Sequence, residues 1–344
     1  ASISSYLLAG FYTGQTRSSE AGMKYFVYGA FTTAVMLYGM TLLYGVTGQT
    51  NLYLIGDLFS GPAIAAVQPL LLLAAVLVTV GFAFKTSLVP YHFWTPDVYE
   101  GAPTPFTGFL STASKAAGFA VLLRVFLSGT FGPAAVFSEW WAMLVAMCII
   151  TMALGNLVAV YQTNIKRLLA YSSIAQAGYT LIGLVTLTQD GTGASMFYLL
   201  MYVFTNIAAF GVIIMVSNVT HSDELKDLSG LNRRSPFLAL VMLLAVLSLS
   251  GIPPTAGFFG KFFLFRAAID AGLWWLALIA ILNAFIALYY YLAIIKYMYL
   301  YRSEEDDVAI PVSRAAQVGL VVSVVFIIYL GVVAGPAFEL TRQA

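Results

Sequence analysis

Apolar residues run along this chain in blocks of about 20, separated by short polar stretches, and inside the blocks they occupy every helical face. Pro69 to Phe84 and Val312 to Gly335 are examples. Strands that cross a membrane alternate apolar and polar positions over short segments, so these blocks predict helices, whose backbone groups are satisfied without water. The pattern places a partial span at 1–14. Full spans follow near 20–46, 66–99 with an interruption, 103–128, 139–161, 167–188, 193–218, 236–268 with an interruption, 272–301 and 314–336. Ala1 opens directly into an apolar segment, with no initiator methionine and no basic region leading to a cleavage site, so the expectation is a chain that begins inside a helix.

Composition agrees with an all-α integral membrane fold: 60% of residues are hydrophobic and 9% charged, more apolar surface than a soluble core absorbs. A net charge of +1 leaves no basic surface for nucleic acid. The single cysteine, Cys148, lies in an apolar run, and the two histidines, His92 and His221, are far apart. Neither a disulfide nor a metal or haem site is expected, and no redox centre on this chain.

Loop charge gives the orientation, because Lys and Arg collect on the cytoplasmic side of short connections. Alternate loops put Arg17, Lys166, Arg167, Lys226, Arg233, Arg234, Lys296, Arg302 and Arg314 on one face. The other holds Arg124, Arg266 and Arg342 beside Asp57, Glu139, Asp190 and Asp270. The first face is expected to be cytoplasmic. Ser303 to Asp307, the most acidic stretch, reads as a solvated loop on that same face.

Three lysines, Lys85, Lys115 and Lys261, fall inside apolar runs rather than in loops. A lysine at a helix centre costs about 2.5–3.5 kcal/mol on insertion scales, so such residues face a bundle interior or a water-filled path. The alternative is that each snorkels to the interface or is a satisfied core lysine. Two of the three adjoin helix breaks: Lys85 precedes Ser87-Leu88-Val89-Pro90, and Lys261 follows Gly251-Ile252-Pro253-Pro254. Proline removes a helical hydrogen bond and biases the preceding residue away from the helical region. Paired interrupted helices point to a transport site, although prolines also kink helices for packing alone. Thr86, Ser87, Ser250 and Thr255 are expected to bridge the freed carbonyls to water. Lys115 sits in a segment of small and hydroxylated residues, Thr104 to Gly118, that permits close helix approach. Burial disfavours an ammonium, which makes such lysines candidates for proton exchange. His92 is a possible relay or a structural histidine, and Asp97 and Glu100 read as loop-ordering or surface groups.

Lys85 to Pro103, Thr163 to Ile174 and Gly251 to Phe262 together resemble the antiporter-like membrane subunits of proton-translocating NADH:quinone oxidoreductase, respiratory complex I. The likeness covers nearly the whole chain. Lysine at both 115 and 261 is similar to the N-type subunit; the L-type has a histidine at the first position and the M-type a glutamate at the second. The resemblance implies two inverted repeats of five helices, each with one discontinuous helix. Residues 1–128 would hold the remainder of the first repeat, 139–301 the second, and 314–344 a closing helix and C-terminus. It implies that Lys85, Lys115 and Lys261 form the proton path, that Lys24 matches a further lysine or is a cytoplasmic anchor, and that the first lysine's glutamate partner lies about two residues upstream of Ala1. NADH, FMN, iron–sulfur clusters and quinone would belong to other subunits. The partners would be membrane-arm subunits, antiporter-like neighbours among them, and the lipid bilayer, in a bacterial inner membrane. The rivals are a multi-subunit sodium/proton antiporter, a structural spacer, and a photosynthetic relative fed by ferredoxin.

Overall fold

The computed structural model describes residues 2–58, 64–128, 138–302 and 309–343. Among them there is no strand, only an isolated antiparallel bridge between Asn164 and Glu224. Among the described residues eight helices are long and apolar enough to cross a membrane, which makes the chain a multi-pass integral membrane protein. In order these are α2 (Thr16–Thr47), α4 (Ile64–Thr86), the α6–α7 rod (Thr104–Phe109 and Lys115–Ser128), α8 (Ser138–Ala159), α9 (Ile165–Val185), α10 (Gln189–Thr220), α14 (Trp274–Leu300) and α15 (Arg314–Val332). A ninth crossing is split into α12 (Pro236–Ser250) and α13 (Ala256–Asp270). Shorter pieces are α1 (Ser2–Ala9), α3 (Leu52–Leu58), α5 (Trp94–Gly101), α11 (Leu231–Arg234) and α16 (Ala334–Gln343).

Helix α9 is the axis of the bundle. All its residues except Arg167 and Tyr171 are buried, and it packs against α5, α8, α10 and α13. Close approach to α8 depends on two glycines: a Cβ on Gly155 would stand 2.5 Å from the Ala175 nitrogen, and one on Gly178 would stand 2.8 Å from the Met152 nitrogen. Small residues let van der Waals packing take over where the hydrophobic effect is weak, between helices in lipid.

Both expected interruptions are present, and they close in the same way. Ser87 (φ 64°) and Gly251 (φ 85°) adopt the left-handed conformation just past α4 and α12. The following amides reach five residues back, Leu88 to the Ala83 carbonyl (2.8 Å) and Ile252 to the Leu247 carbonyl (3.0 Å), which is the Schellman pattern of helix ends. In each case a cis prolyl bond comes next, Val89–Pro90 and Pro253–Pro254. The amide of Val89, turned away from any helix, donates to the Thr151 hydroxyl of α8 at 3.0 Å. Trp94 Nε1 donates to the Phe84 carbonyl (2.9 Å), and its ring stacks on Tyr25 of α2 at 4.5 Å.

The first interrupted span is α4, a break at 87–93 and the eight-residue α5, which ends where Pro103 holds Ala102 extended. The outcome differs from expectation in two places. The rod at 104–128 carries a π-helical turn at Leu110–Ser114, which hydrophobic periodicity does not announce. The last span stops at Val332, and the more polar Ala334–Gln343 forms α16, packed on α10 and tied by Arg342 to Asp190 at 2.6 Å. The acidic stretch at 303–307 lies outside the described residues.

Replacing Gly155 by valine should cost about 1–3 kcal/mol, since backbone must move rather than a flexible side chain. Thermal unfolding of the detergent-purified protein checks this, and an unchanged midpoint would contradict the α8–α9 contact.

Candidate functional site

Lys115 is the first residue after the π-helical turn and is 2% exposed. Its Nζ donates to the Ser173 carbonyl at 2.8 Å and to Ser173 Oγ at 2.5 Å, so both acceptors come from one residue of α9. The same Oγ lies 3.3 Å from the buried Tyr99 hydroxyl of α5.

Lys261 is 4% exposed and points back across the second break. Its Nζ donates to the carbonyls of Leu249 (3.0 Å) and Ser250 (2.9 Å), the last two residues of α12. Those carbonyls lack helical partners and carry the negative end of the helix dipole. Gly251 makes the reach possible, because a Cβ there would stand 2.9 Å from Lys261 Cδ. The Tyr179 ring centroid is 5.0 Å from the amine.

At both sites the amine meets two hydrogen-bond acceptors. A neutral amine has two N–H groups and saturates them; an ammonium has one more, which at Lys261 faces an aromatic ring. Either protonation state therefore finds most of its partners in place. Among the described residues neither lysine has a carboxylate in ion-pair contact.

Between the two amines α9 carries a polar stripe. Starting from Lys261, the Leu249 carbonyl also accepts from Gln176 Nε2 at 3.1 Å. Gln176 Nε2 donates again to the Tyr291 hydroxyl at 3.0 Å, and that hydroxyl lies 2.5 Å from Ser172 Oγ. Gln176 Oε1 accepts a short bond from Tyr198. Ser172 adjoins Ser173, on which Lys115 rests. Only this step, between neighbouring serine hydroxyls, has no direct hydrogen bond. A side branch runs from the Tyr290 hydroxyl to Asn156 Oδ1 (3.0 Å) and from Asn156 Nδ2 to the Tyr179 hydroxyl (3.3 Å).

The other candidates are arranged differently. Lys85 is half-buried in the last turn of α4, and makes no hydrogen bond or ion pair with the described residues. It lies beside α7: a Cβ on Gly118, one turn past Lys115, would be 3.2 Å from Lys85 Cγ. His92 is 5% exposed with Nδ1 unpartnered, and no contact ties it to the three lysines. Lys24 joins a cluster at the end of α2, with Glu20 and Asp97 each at 2.6 Å. Arg167 bonds Asp97 (2.8 Å) and Glu100 (2.9 Å), and Arg17 lies 3.6 Å from Glu100. Burial pushes the Asp97 carboxyl up, but hydrogen bonds from Lys24 and Arg167 outweigh it and hold the group below its ordinary value. The cluster lines a cleft of about 180 Å³ and brings Arg17 and Arg167 to one face, as loop charge predicts.

Thr86, Ser250 and Thr255 direct their hydroxyl protons to nearby carbonyls. Each donates to a carbonyl of its own turn, of Phe82, of Val246 and Leu247, and of Ile252, while Ser87 accepts from Thr95. Sequence reasoning missed Tyr99, Ser172, Ser173, Gln176 and Tyr291. Gln176, the one amide within an almost fully buried span, was the available signal.

Alanine at Gly251 should destabilise the fold by about 1–2 kcal/mol, from the left-handed backbone alone, before any displacement of Lys261. A thermal shift measurement that finds no loss would contradict the described turn.

A profile described as NADH:quinone oxidoreductase/Mrp antiporter, TM, matches residues 1–287. NADH-quinone oxidoreductase subunit N of Moorella thermoacetica is 49% identical over 331 residues, which is 96% of this chain and 68% of that protein. A chain in the structure of respiratory complex I from Thermus thermophilus with bound aureothin superposes with a TM-score of 0.83 at 38% identity, covering 98% of this chain and 72% of its own. A chain of the membrane-bound sulfane sulfur reductase, an archaeal respiratory membrane complex, superposes with a TM-score of 0.88 at 28% identity, over 99% of this chain and 68% of its own.

Proposed function

Because the chain belongs to the NADH:quinone oxidoreductase/Mrp antiporter family of membrane subunits, we propose that it carries protons across the membrane as an N-type subunit of a proton-translocating NADH:quinone oxidoreductase. The observation that carries this reading is the pair of buried amines, Lys115 and Lys261, joined along α9 by Ser173, Ser172, Tyr291 and Gln176. A structural spacer has no need of two desolvated lysines, each costing about 2.5–3.5 kcal/mol to insert.

In this reading the electron transfer, with NADH, FMN, iron–sulfur clusters and quinone, occurs in partner subunits of the membrane-bound complex, and this chain responds electrostatically. A charge moved beside Lys85 acts on Lys115 across the α4–α7 contact at Gly118. At an effective dielectric of about 20, charges about 4 Å apart interact by about 4 kcal/mol, enough to decide whether an amine holds its proton. Lys115 then passes a proton toward Lys261 along α9. Pro90 and the Pro253–Pro254 pair hold the two breaks open, and the matching turns at Ser87 and Gly251 support the division into two repeats, 1–128 and 139–301, with 314–344 as closing segment. His92 and Lys24 lie off this path. The basic-rich face would be the cytoplasmic one, in a bacterial inner membrane, with antiporter-like neighbours alongside.

A sodium/proton antiporter subunit shares the family, but 49% identity to an N-type subunit of the oxidoreductase favours the redox-driven assignment. Lys115→Met in the intact complex should lower NADH-driven proton pumping into membrane vesicles by about tenfold or more. Lys115→Arg should fail as well, because a guanidinium keeps its proton. Full pumping in Lys115→Met would refute the proposal, and full pumping in Lys115→Arg would reduce Lys115 to a fixed charge.

A further inference from the structure

Lys166 reads from sequence as one more loop cation, yet the structure buries it to 5% exposure in the first turn of α9. A cation there is doubly disfavoured, by desolvation and by the positive end of the helix dipole. It is held by Asp223, with Nζ 3.0 Å from Oδ2, and by the Ala102 carbonyl at 3.3 Å. Asp223 is itself fixed: Ser217 donates to its Oδ1 at 2.6 Å, and its carbonyl accepts from the Ile165 amide at 2.8 Å. Lys166 is buried while Asp223 keeps 24% of its side chain exposed, and such a largely desolvated pair contributes little net stability, so its presence calls for another reason.

Its position supplies one. The pair forms part of the wall of an open polar cleft of about 480 Å³ on the basic-rich face, lined also by Glu100, Arg17, His221 and Asn218. Ala102, whose carbonyl accepts from Lys166, is the C-cap residue of α5, and one turn earlier on α5 sits Tyr99, fully buried, whose hydroxyl reaches Ser173 and hence Lys115. Along α9 the distance from Lys166 to Ser173 is seven residues, or about 10 Å of helix.

We propose that Lys166 and Asp223 form the port through which protons reach Lys115 from the basic-rich face, with the Tyr99 hydroxyl as the relay between port and amine. A hydronium ion in the cleft protonates the Asp223 carboxylate, which loosens Lys166. The proton moves inward on water, Tyr99 accepts it at oxygen while releasing its own hydroxyl proton to Ser173, and Ser173 does the same toward neutral Lys115. The net change is one proton lost from the cleft and one gained by the amine. This assignment rests on Lys115 being a proton carrier, as proposed above.

The test uses the intact complex in vesicles. Asp223→Ala should slow NADH-driven pumping about fivefold or more, and formate, a small acid able to enter the emptied cleft, should restore much of the rate. Tyr99→Phe should slow pumping without rescue. A pumping rate in Asp223→Ala equal to that of the parent, or a slow rate that formate does not change, overturns the port. Lys115→Met, run in parallel, separates the two claims, since normal pumping there sinks the proton-carrier reading itself. Should Asp223→Ala fail to assemble, Asn218→Cys provides a second readout. The native Cys148 is buried, so within this chain a charged thiol reagent reaches the cleft alone. Inhibition on labelling supports the port, and an unaffected rate overturns it.

Discussion

A primary amine enclosed in a lipid-embedded bundle must find oxygen acceptors, and helices offer almost none, because their carbonyls are already bonded within the helix. The rest of this structure follows from how that shortage is met. For Lys261 the acceptors are the last carbonyls of α12, set free by ending the helix in mid-crossing. For Lys115 they are the carbonyl and hydroxyl of Ser173 on the neighbouring α9. The helix break and the lysine are thus parts of one device, and the left-handed turn at Gly251 both ends the helix and leaves room for the side chain that caps it.

This arrangement also explains why α9 is central. A helix that lends acceptors to one amine and an aromatic ring to the other must be surrounded by protein, and α9 is almost wholly buried by α5, α8, α10 and α13. Gly155 and Gly178 bring α8 against it at backbone distance, while Thr151 of α8 takes up the stray amide of the first break. Packing and polarity therefore place the two lysines at fixed positions relative to one helix, with Ser173 on Lys115 and Gln176 sharing the Leu249 carbonyl with Lys261.

Much of this was legible in the sequence, and the reason is physical. Twenty-residue apolar blocks have few other uses, prolines within them force breaks, and a lysine inside one is too costly to be incidental. What was not legible was which oxygens Lys115 and the polar stripe of α9 meet, since that depends on long-range packing with residues up to 119 positions away, as for Ser172 and Tyr291. The partners of the hydroxyls beside the breaks are local: Thr86, Ser250 and Thr255 have carbonyls of their own turns within reach and donate to them. The burial of Lys166 is not legible either, because a cation near a helix start ordinarily faces water, and only the fold of 221–224 against that start encloses it.

The central claim is that the polar stripe of α9 links the two amines, and Gln176 is its narrowest point, bonded at once to the Leu249 carbonyl, Tyr291 and Tyr198. Leucine at position 176 keeps the side chain's bulk and leaves both lysines untouched. Proton pumping by the intact complex carrying Gln176→Leu should fall severalfold while the complex remains assembled. Pumping at the parent rate would show that protons do not pass along α9.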